Sequence, residues 1–284
     1  MHDVVHHMRA TMERRGFRPN TVVTYLQVVR KFLGWLDNPI AQVTRSDVER
    51  YLLKLAREKR SPRTRNVALT ALRQLFTDVL QAPDVTTGIR RARVAPTVPT
   101  ILSGSEVQAV LDHLASPTHR ALIATLYGCG LRVSEVCSLR IDHVDSKRMR
   151  LRICDAKNGD RYARLTPAVL EALRAHYRAR HPPGPWLFPG RPSTRPLNRV
   201  SVSKVLCRAA TELGLNKRVY PHALRHSFAV HLLDLGADLR VVQVLLGHRR
   251  VTSTTQYLYL SQERLARAPS PLDALGTAQA TRLG

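Results

Sequence analysis

Six residues of this chain have the types and spacing that phosphodiester chemistry needs. Two are arginines: Arg132, in Gly130-Leu131-Arg132-Val133-Ser134-Glu135, and Arg225, in His222-Ala223-Leu224-Arg225-His226. Lys157, His222 and His248 can carry protons, and Tyr257 follows His248 by nine residues. Cleaving a phosphodiester without a metal requires a nucleophile, cations over the non-bridging oxygens and a proton donor for the leaving 5′ oxygen. The arginine fork suits the second role, because it binds phosphate bidentately and stays charged. Lysine or histidine suits the third. A tyrosine suits the first, since a covalent phosphotyrosine stores the bond energy for resealing.

Taken singly, each of these residues has a plainer reading. Arg132 follows a Gly-x-Gly turn and could cap a helix or pair with Glu135. Lys157 could be an ordinary turn lysine, His222 the first-turn residue of a helix, and Tyr257 a core aromatic. Their joint pattern favours the chemical reading. Metal readings are weaker: His222 and His226 are four apart but lack the glutamate of a zinc-protease motif. Asp142 and Asp145 are close, yet a two-metal nuclease needs several converging carboxylates. The chain has neither a nucleotide phosphate loop nor a dinucleotide-binding glycine fingerprint, so a mechanism without metal, nucleotide or cofactor is expected.

Composition points to the partner. The 284 residues carry 45 Lys and Arg against 21 Asp and Glu, a net charge of +24. Such an excess predicts a polyanion, nucleic acid first. An anionic membrane fits less well, because the charge runs along the whole chain and is not confined to one amphipathic helix. The basic residues are 38 Arg and 7 Lys, a bias that genome base composition also produces, so the uncompensated charge is the better argument. Cys129, Cys137, Cys154 and Cys207 show no C-x-x-C spacing and read as reduced core thiols. No apolar run reaches membrane-spanning length, and the N-terminus has no signal-peptide core. The expected site of action is the cytoplasm.

The elements that must position these residues fall into two parts. Residues 1 to about 95 read as helical: Asp3 to Arg15, ended by Gly16; a helix capped by Asn20 with the stripe Val22, Tyr25, Leu26, Val29, Phe32, Leu33 and Leu36; and a helix opened by a Ser46–Glu49 capping box. A fourth starts at Ser61-Pro62, with Val67, Leu69, Leu72, Leu75, Phe76 and Leu80 as its apolar face. Its opening turn carries Arg63, Thr64 and Arg65, which suit a phosphate backbone; the competing reading is a solvated face. Residues 91–99 contain two prolines and lack an apolar period, as a linker would. A Ser103–Glu106 capping box then opens a helical stretch to about Arg140. Met149 to Cys154 alternates as a half-buried strand, turns at Lys157 to Asp160 and returns over Arg161 to Leu165. Thr166-Pro167 caps a helix to about Arg180, residues 181–196 form a loop, and helices resume near Arg199, broken at Gly214, Gly236 and Gly247.

The run GLRVSEVCSLR, a strand-turn lysine, then PHALRHSFAVHLLDLGADLRVVQVLLGH and a tyrosine nine residues on resembles the catalytic domain of the tyrosine recombinases, the phage-integrase superfamily, in full and in order. The stretch NTVVTYLQVVRKFLGWL is similar to the family's helical core-binding domain. The resemblance implies a mainly α fold with a small antiparallel β-sheet, in a two-domain architecture like that of the Xer recombinases. A helical SAM-like core-binding domain would span 1–90, a linker 91–99 and an α+β catalytic domain 100–284. It also implies roles at matching positions. Arg132 and Arg225 would clamp the scissile phosphate, with His222 and His248 binding it too. Lys157 would protonate the leaving 5′ oxygen, Tyr257 would attack, and Glu135 would support the site structurally. The partners implied are double-stranded DNA sites and further copies of the chain, four on two sites, exchanging strands through a Holliday junction.

Two departures from the family pattern stand out. The hairpin turn Ala156-Lys157-Asn158-Gly159-Asp160 is one residue short and has one lysine where the family often has two basic residues. Tyr259 stands where the family commonly has a histidine; spacing from His248 selects Tyr257 as nucleophile, with Tyr259 the fallback. Either tyrosine has an ordinary pKa near 10 and would need the positive field of Arg132, Arg225 and Lys157. The tail after Tyr257, with Pro269, Pro271, Leu272 and Leu275, would dock on a neighbouring protomer and resembles tails of recombinases carried by mobile elements. Two other readings remain: a DNA-binding accessory factor without catalysis, against which the six filled positions argue, and a type IB topoisomerase, which shares the chemistry.

Overall fold

The stripe from Val22 to Leu33 forms the central helix of the first of two units. The computed structural model describes residues 2–95, 97–154, 159–248 and 251–261, and the chain divides into units spanning 1–97 and 98–284. The first contains α1 (His2–Arg14), α2 (Pro19–Leu33), α3 (Arg45–Arg57) and α4 (Pro62–Asp78). Val22, Leu26, Val29, Phe32 and Leu33 are buried along α2 and face Leu69, Leu72, Leu75 and Phe76 of α4 in one core. Phe32 meets Tyr51 and Phe76 edge-on, with ring centroids 5.1 and 6.2 Å apart, the arrangement the ring quadrupoles favour. Each fully buried Leu or Phe here stabilises the unit by about 1.5–3 kcal/mol.

Three local readings are corrected in this unit. Asn20 is not the cap of α2: the helix starts at Pro19 after Arg18, because proline's fixed φ already suits a first helical position. The box that opens α3 pairs Thr44 with Asp47, whose carboxylate accepts from the Thr44 N–H and hydroxyl, each at 2.8 Å. Glu49 instead accepts from Arg45 Nε at 2.9 Å. Val67 on α4 is exposed, and Ala68 and Ala71 are buried in its stead. The Asn66 amide also ties residue 92 back to α4, donating to the Ala92 carbonyl at 2.9 Å and accepting from its N–H at 2.8 Å.

The second unit holds α5 (Gly104–His113), α6 (Pro117–Gly128), α7 (Val133–Cys137), β1 (Val144–Asp145), β2 (Arg150–Ile153), β3 (Arg161–Arg164), α8 (Pro167–Arg180), α9 (Arg199–Glu212), α10 (Pro221–Asp234), α11 (Leu239–Leu246) and α12 (Thr252–Thr255). The Ser103–Glu106 box closes in both directions, at 2.7 and 3.1 Å. The strands make one antiparallel sheet in the order β1-β2-β3, with Leu151 opposite Ala163 and Ile153 opposite Arg161. Leu151, Ile153 and Ala163 are buried, as alternation requires. The two-residue strand β1 has no signal in the sequence.

Helix α10 is the axis of this unit. Pro221, Ala223, Leu224, Arg225, Ser227, Ala229, Val230 and Leu233 are all buried, and it packs on α6, α9 and α11. A helix buried on most sides carries its polar residues inside with it, and each then needs a partner. Ser227 accepts from the Leu102 N–H at 2.8 Å and donates to the Ala223 carbonyl at 2.9 Å. Cys129 and Cys137 are core thiols as expected, whereas Cys154 and Cys207 are exposed. The tail carrying Pro269, Pro271, Leu272 and Leu275 lies outside the described residues. Among those described, no helix is long and apolar enough to cross a membrane.

Candidate active site

Glu135 sits at the centre of a cluster of arginines. Arg132 caps α7, and both it and Glu135 are placed by that short helix. Glu135 accepts from the Arg132 N–H at 2.8 Å and from Arg132 Nη1 at 2.7 Å. From β3, Arg161 Nη2 donates to the same carboxylate at 3.0 Å. From α10, Arg225 Nη1 lies 3.8 Å away. Three guanidinium groups thus share one carboxylate, itself 6% exposed. Burial, together with the Arg132 charge, brings Arg225 down to about 10, so it remains a cation at neutral pH.

Main-chain carbonyls fix the guanidinium planes. Arg225 donates to the Gly130 carbonyl at 2.7 Å and to that of Leu246 at 2.6 Å. That occupies two of an arginine's five N–H donors. Arg132 Nη2 reaches the Gly247 carbonyl and Arg161 Nη1 that of Leu245, both at 3.4 Å. The last carbonyls of α11 and the Gly247 carbonyl in the turn after it therefore bind all three arginines. Gly247 makes that turn possible: its φ is +62°, and a Cβ there would collide with the Arg161 guanidinium.

The imidazoles and the phenol form a second layer. His222, Arg225 and His226 lie at i, i+3 and i+4 on α10, hence on one face. His222 is exposed at the first turn; its ring centroid is 6.4 Å from that of His226. His226 Nδ1 is 2.9 Å from the Tyr257 hydroxyl. His248 stacks on the Tyr257 ring at 6.4 Å and 15°, and its Nδ1 is 2.9 Å from Thr254 Oγ1. Gln243 holds His248 from both sides of its peptide, through the His248 N–H and carbonyl, at 3.1 and 3.0 Å. Burial and the nearby charges lower all three imidazoles. His226 falls to about 4, through burial, His222 and Arg225; His248 falls to about 4, through burial, Arg225 and Arg132 first. Desolvation, Arg225 and Arg132 lower His222 in that order. His226 and His248 are therefore neutral at physiological pH.

Tyr257 is 1% exposed and Tyr259 is 79% exposed. The two sit in a turn after α12, not in a helix. The field of Arg225 and Arg132 pulls the Tyr257 phenol down as expected, and so does a hydrogen bond from the Gln256 side chain, but burial is stronger and the net shift is upward. The resting phenol is thus protonated.

Of the residues singled out in the sequence, Arg132, Arg225, His222, His248 and Tyr257 come together here, while Lys157 lies outside the described residues. Arg161 and Thr254 were not singled out, and His226 only as half of a metal pair set aside. For Arg161 a signal existed: on the return strand it shares a face with Ala163 and Leu165, so strand alternation places an arginine inward. His226 had one too, four residues from His222. At the start of α4, Arg63 and Thr64 are exposed, with the Thr64 hydroxyl 2.9 Å from the capping Ser61 hydroxyl. Arg65 differs: it is half-buried, lines a cavity with Leu52, Ala56 and Leu69, and its Nε is buried without a hydrogen bond among the described residues. No group of three or more His, Cys, Asp or Glu among those residues could hold a metal ion.

Two family models match the chain: the Phage integrase family over residues 100–264, and the Phage integrase N-terminal SAM-like domain over residues 5–84. The protein y4qK of Sinorhizobium fredii is 37% identical over 271 residues, covering 94% of this chain and 88% of the relative. The tyrosine recombinase XerD of Corynebacterium glutamicum is 33% identical over 280 residues, covering 88% and 91%. Among solved structures, a lambda integrase (75–356) dimer bound to a COC′ core site has the same fold, with a TM-score of 0.73, 18% identity and coverage of 95% and 98%.

Proposed function

The chain belongs to the phage integrase family of tyrosine recombinases, site-specific enzymes that break and rejoin DNA, and from that premise we propose how its own residues do the chemistry. Arg132 and Arg225 hold the non-bridging oxygens of the scissile phosphate, and His222 and His248 donate hydrogen bonds to it. With the Thr254 hydroxyl donating to Nδ1, neutral His248 carries its proton on Nε2 and can give that bond. Tyr257 attacks phosphorus, forming a 3′-phosphotyrosine as the bond to the 5′ oxygen breaks. Lys157 supplies the proton that the 5′ oxygen takes up. Religation reverses these steps with a 5′ hydroxyl from the other duplex, which leads to a Holliday junction. No metal or cofactor enters the scheme.

The observation that carries this reading is the excess of cations: three guanidinium groups around one carboxylate, two of which, Arg225 and Arg132, also act on the Tyr257 phenol. Such a site is electrostatically incomplete without an anion, and a phosphate acquiring charge as it is attacked completes it best. The first unit would serve as the core-binding domain, with Arg63 and Thr64 against the DNA backbone, and four copies of the chain would assemble on two sites in the cytoplasm. Covalent capture tests the reading. A pool of random-sequence duplexes, nicked so that a short fragment is lost on cleavage, is incubated with the protein in chelator and washed under denaturing conditions. Wild type should retain DNA and Tyr257→Phe should not. Equal retention by Tyr257→Phe with loss in Tyr259→Phe would move the nucleophile. No retention by wild type would sink the mechanism.

A further inference from the structure

We propose that His226 is a catalytic residue of this reaction, the base that takes the phenol proton of Tyr257 as the tyrosine attacks phosphorus. The inference rests on the mechanism above and supplies a step it leaves open: where that proton goes. The geometry is direct. Nδ1 of His226 lies 2.9 Å from the Tyr257 hydroxyl, within the reach a general base requires. The other two imidazoles are placed for different work. The His248 ring lies nearly parallel to the tyrosine ring, centroids 6.4 Å apart, with its Nδ1 on Thr254, and the His222 ring is exposed beyond His226. The Gln256 side chain hydrogen-bonds to the same phenol in the sense that favours its ionised form, so it donates to the phenol oxygen. The phenol's own hydrogen is then free to point at His226.

Electrostatics support the assignment. His226 is neutral in the resting site, and with the phenol hydrogen pointing at it the ring proton sits on Nε2, which leaves the Nδ1 lone pair to accept. The charge of Arg225 is among the influences that keep it neutral. An incoming phosphate offsets that charge, so the imidazole becomes a better base only once DNA is bound. Protons and bonds balance. The Tyr257 proton moves to His226 Nδ1, the Oη–phosphorus bond forms, the phosphorus–O5′ bond breaks, and the 5′ oxygen is protonated separately. In religation the imidazolium returns its proton to the departing phenolate.

The test uses the full chain and a nicked duplex isolated by covalent capture, in single-turnover cleavage. His226→Asn places an amide oxygen near the position of Nδ1, which can hold the hydroxyl but cannot take its proton. Cleavage should slow about 10²–10⁴-fold with DNA affinity and thermal stability unchanged. Two substitutions then separate base from acid. A difluorinated tyrosine at position 257, whose phenol is more acidic, should restore much of the rate to His226→Asn. A substrate with sulfur in place of the 5′ oxygen, whose leaving group needs no proton, should not. Wild-type rates in His226→Asn would overturn the proposal, as would rescue by sulfur without rescue by fluorination. If wild type captures no DNA, the mechanism of the preceding section fails, and this step with it.

Discussion

Around Glu135, Arg225 is buried and bonded to two main-chain carbonyls, whereas at the start of α4 Arg63 stands in solvent. The same side chain sits in two different environments. In the second unit its charge is desolvated, its plane is fixed, and its position is set by helices and turns that cannot shift without breaking the core. In the first unit the charge is hydrated and the side chain free to follow a flexible polyanion. The first arrangement suits a transition state, which rewards donors already in place. The second suits a backbone contact that adds affinity without selecting a reacting atom.

The contrast can be broken at four points. Arg225→Ala should reduce covalent capture by about 10²–10³-fold or more while leaving most DNA binding intact; normal cleavage by this variant would remove Arg225 from the phosphate site. Glu135→Ala leaves three arginines without their shared carboxylate and should destabilise the second unit by about 3–5 kcal/mol, read from thermal unfolding. A change below 1 kcal/mol would mean that the cluster is more hydrated than its burial implies.

Acid should separate the units. His226 and His248 are held down at about 4 in the native chain, against about 6.5 unfolded. The unfolded state therefore binds more protons between those values, and the stability they confer is complete above about pH 6.5 and is lost as pH falls toward 4. Asp47 in α3 is lowered to about 2 by its bonds to Thr44 and Arg50. Its contribution is present above about pH 4 and is lost only as pH falls through 2. Trp186 fluorescence should thus report loss of the second unit at a higher pH than Trp35 reports loss of the first; the reverse order would contradict the placement of the two histidines. The smallest effect is expected at the surface. Arg63→Ala should weaken DNA binding only a few-fold at low salt and lower the steepness of its salt dependence by about one counterion. An unchanged slope would take Arg63 off the DNA.

Much of this was legible in the chain because it is encoded locally. Amphipathic stripes fixed the existence of α2 and α4, a Thr166-Pro167 cap that of α8, alternation fixed β2 and β3, and the spacing of Arg132, Arg225, His248 and Tyr257 carried a family pattern. Boundaries were less legible where two caps compete, as at Thr44–Asp47 against Ser46–Glu49, since either box satisfies the same orphan N–H groups.

What the sequence by itself determined is the kind of chemistry and five of the residues that come together, Arg132, His222, Arg225, His248 and Tyr257. Tertiary structure alone decided the charge state and partnership of those residues. Whether Tyr257 is lowered by its cations or raised by burial depends on how completely water is excluded, and packing sets that. Arg161 and His226 enter the site because β3 meets the C-terminal end of α11 and α10 meets the turn after α12, elements that are distant along the chain. A spacing rule sees neighbours along one element; only the folded chain shows which atoms of different elements meet.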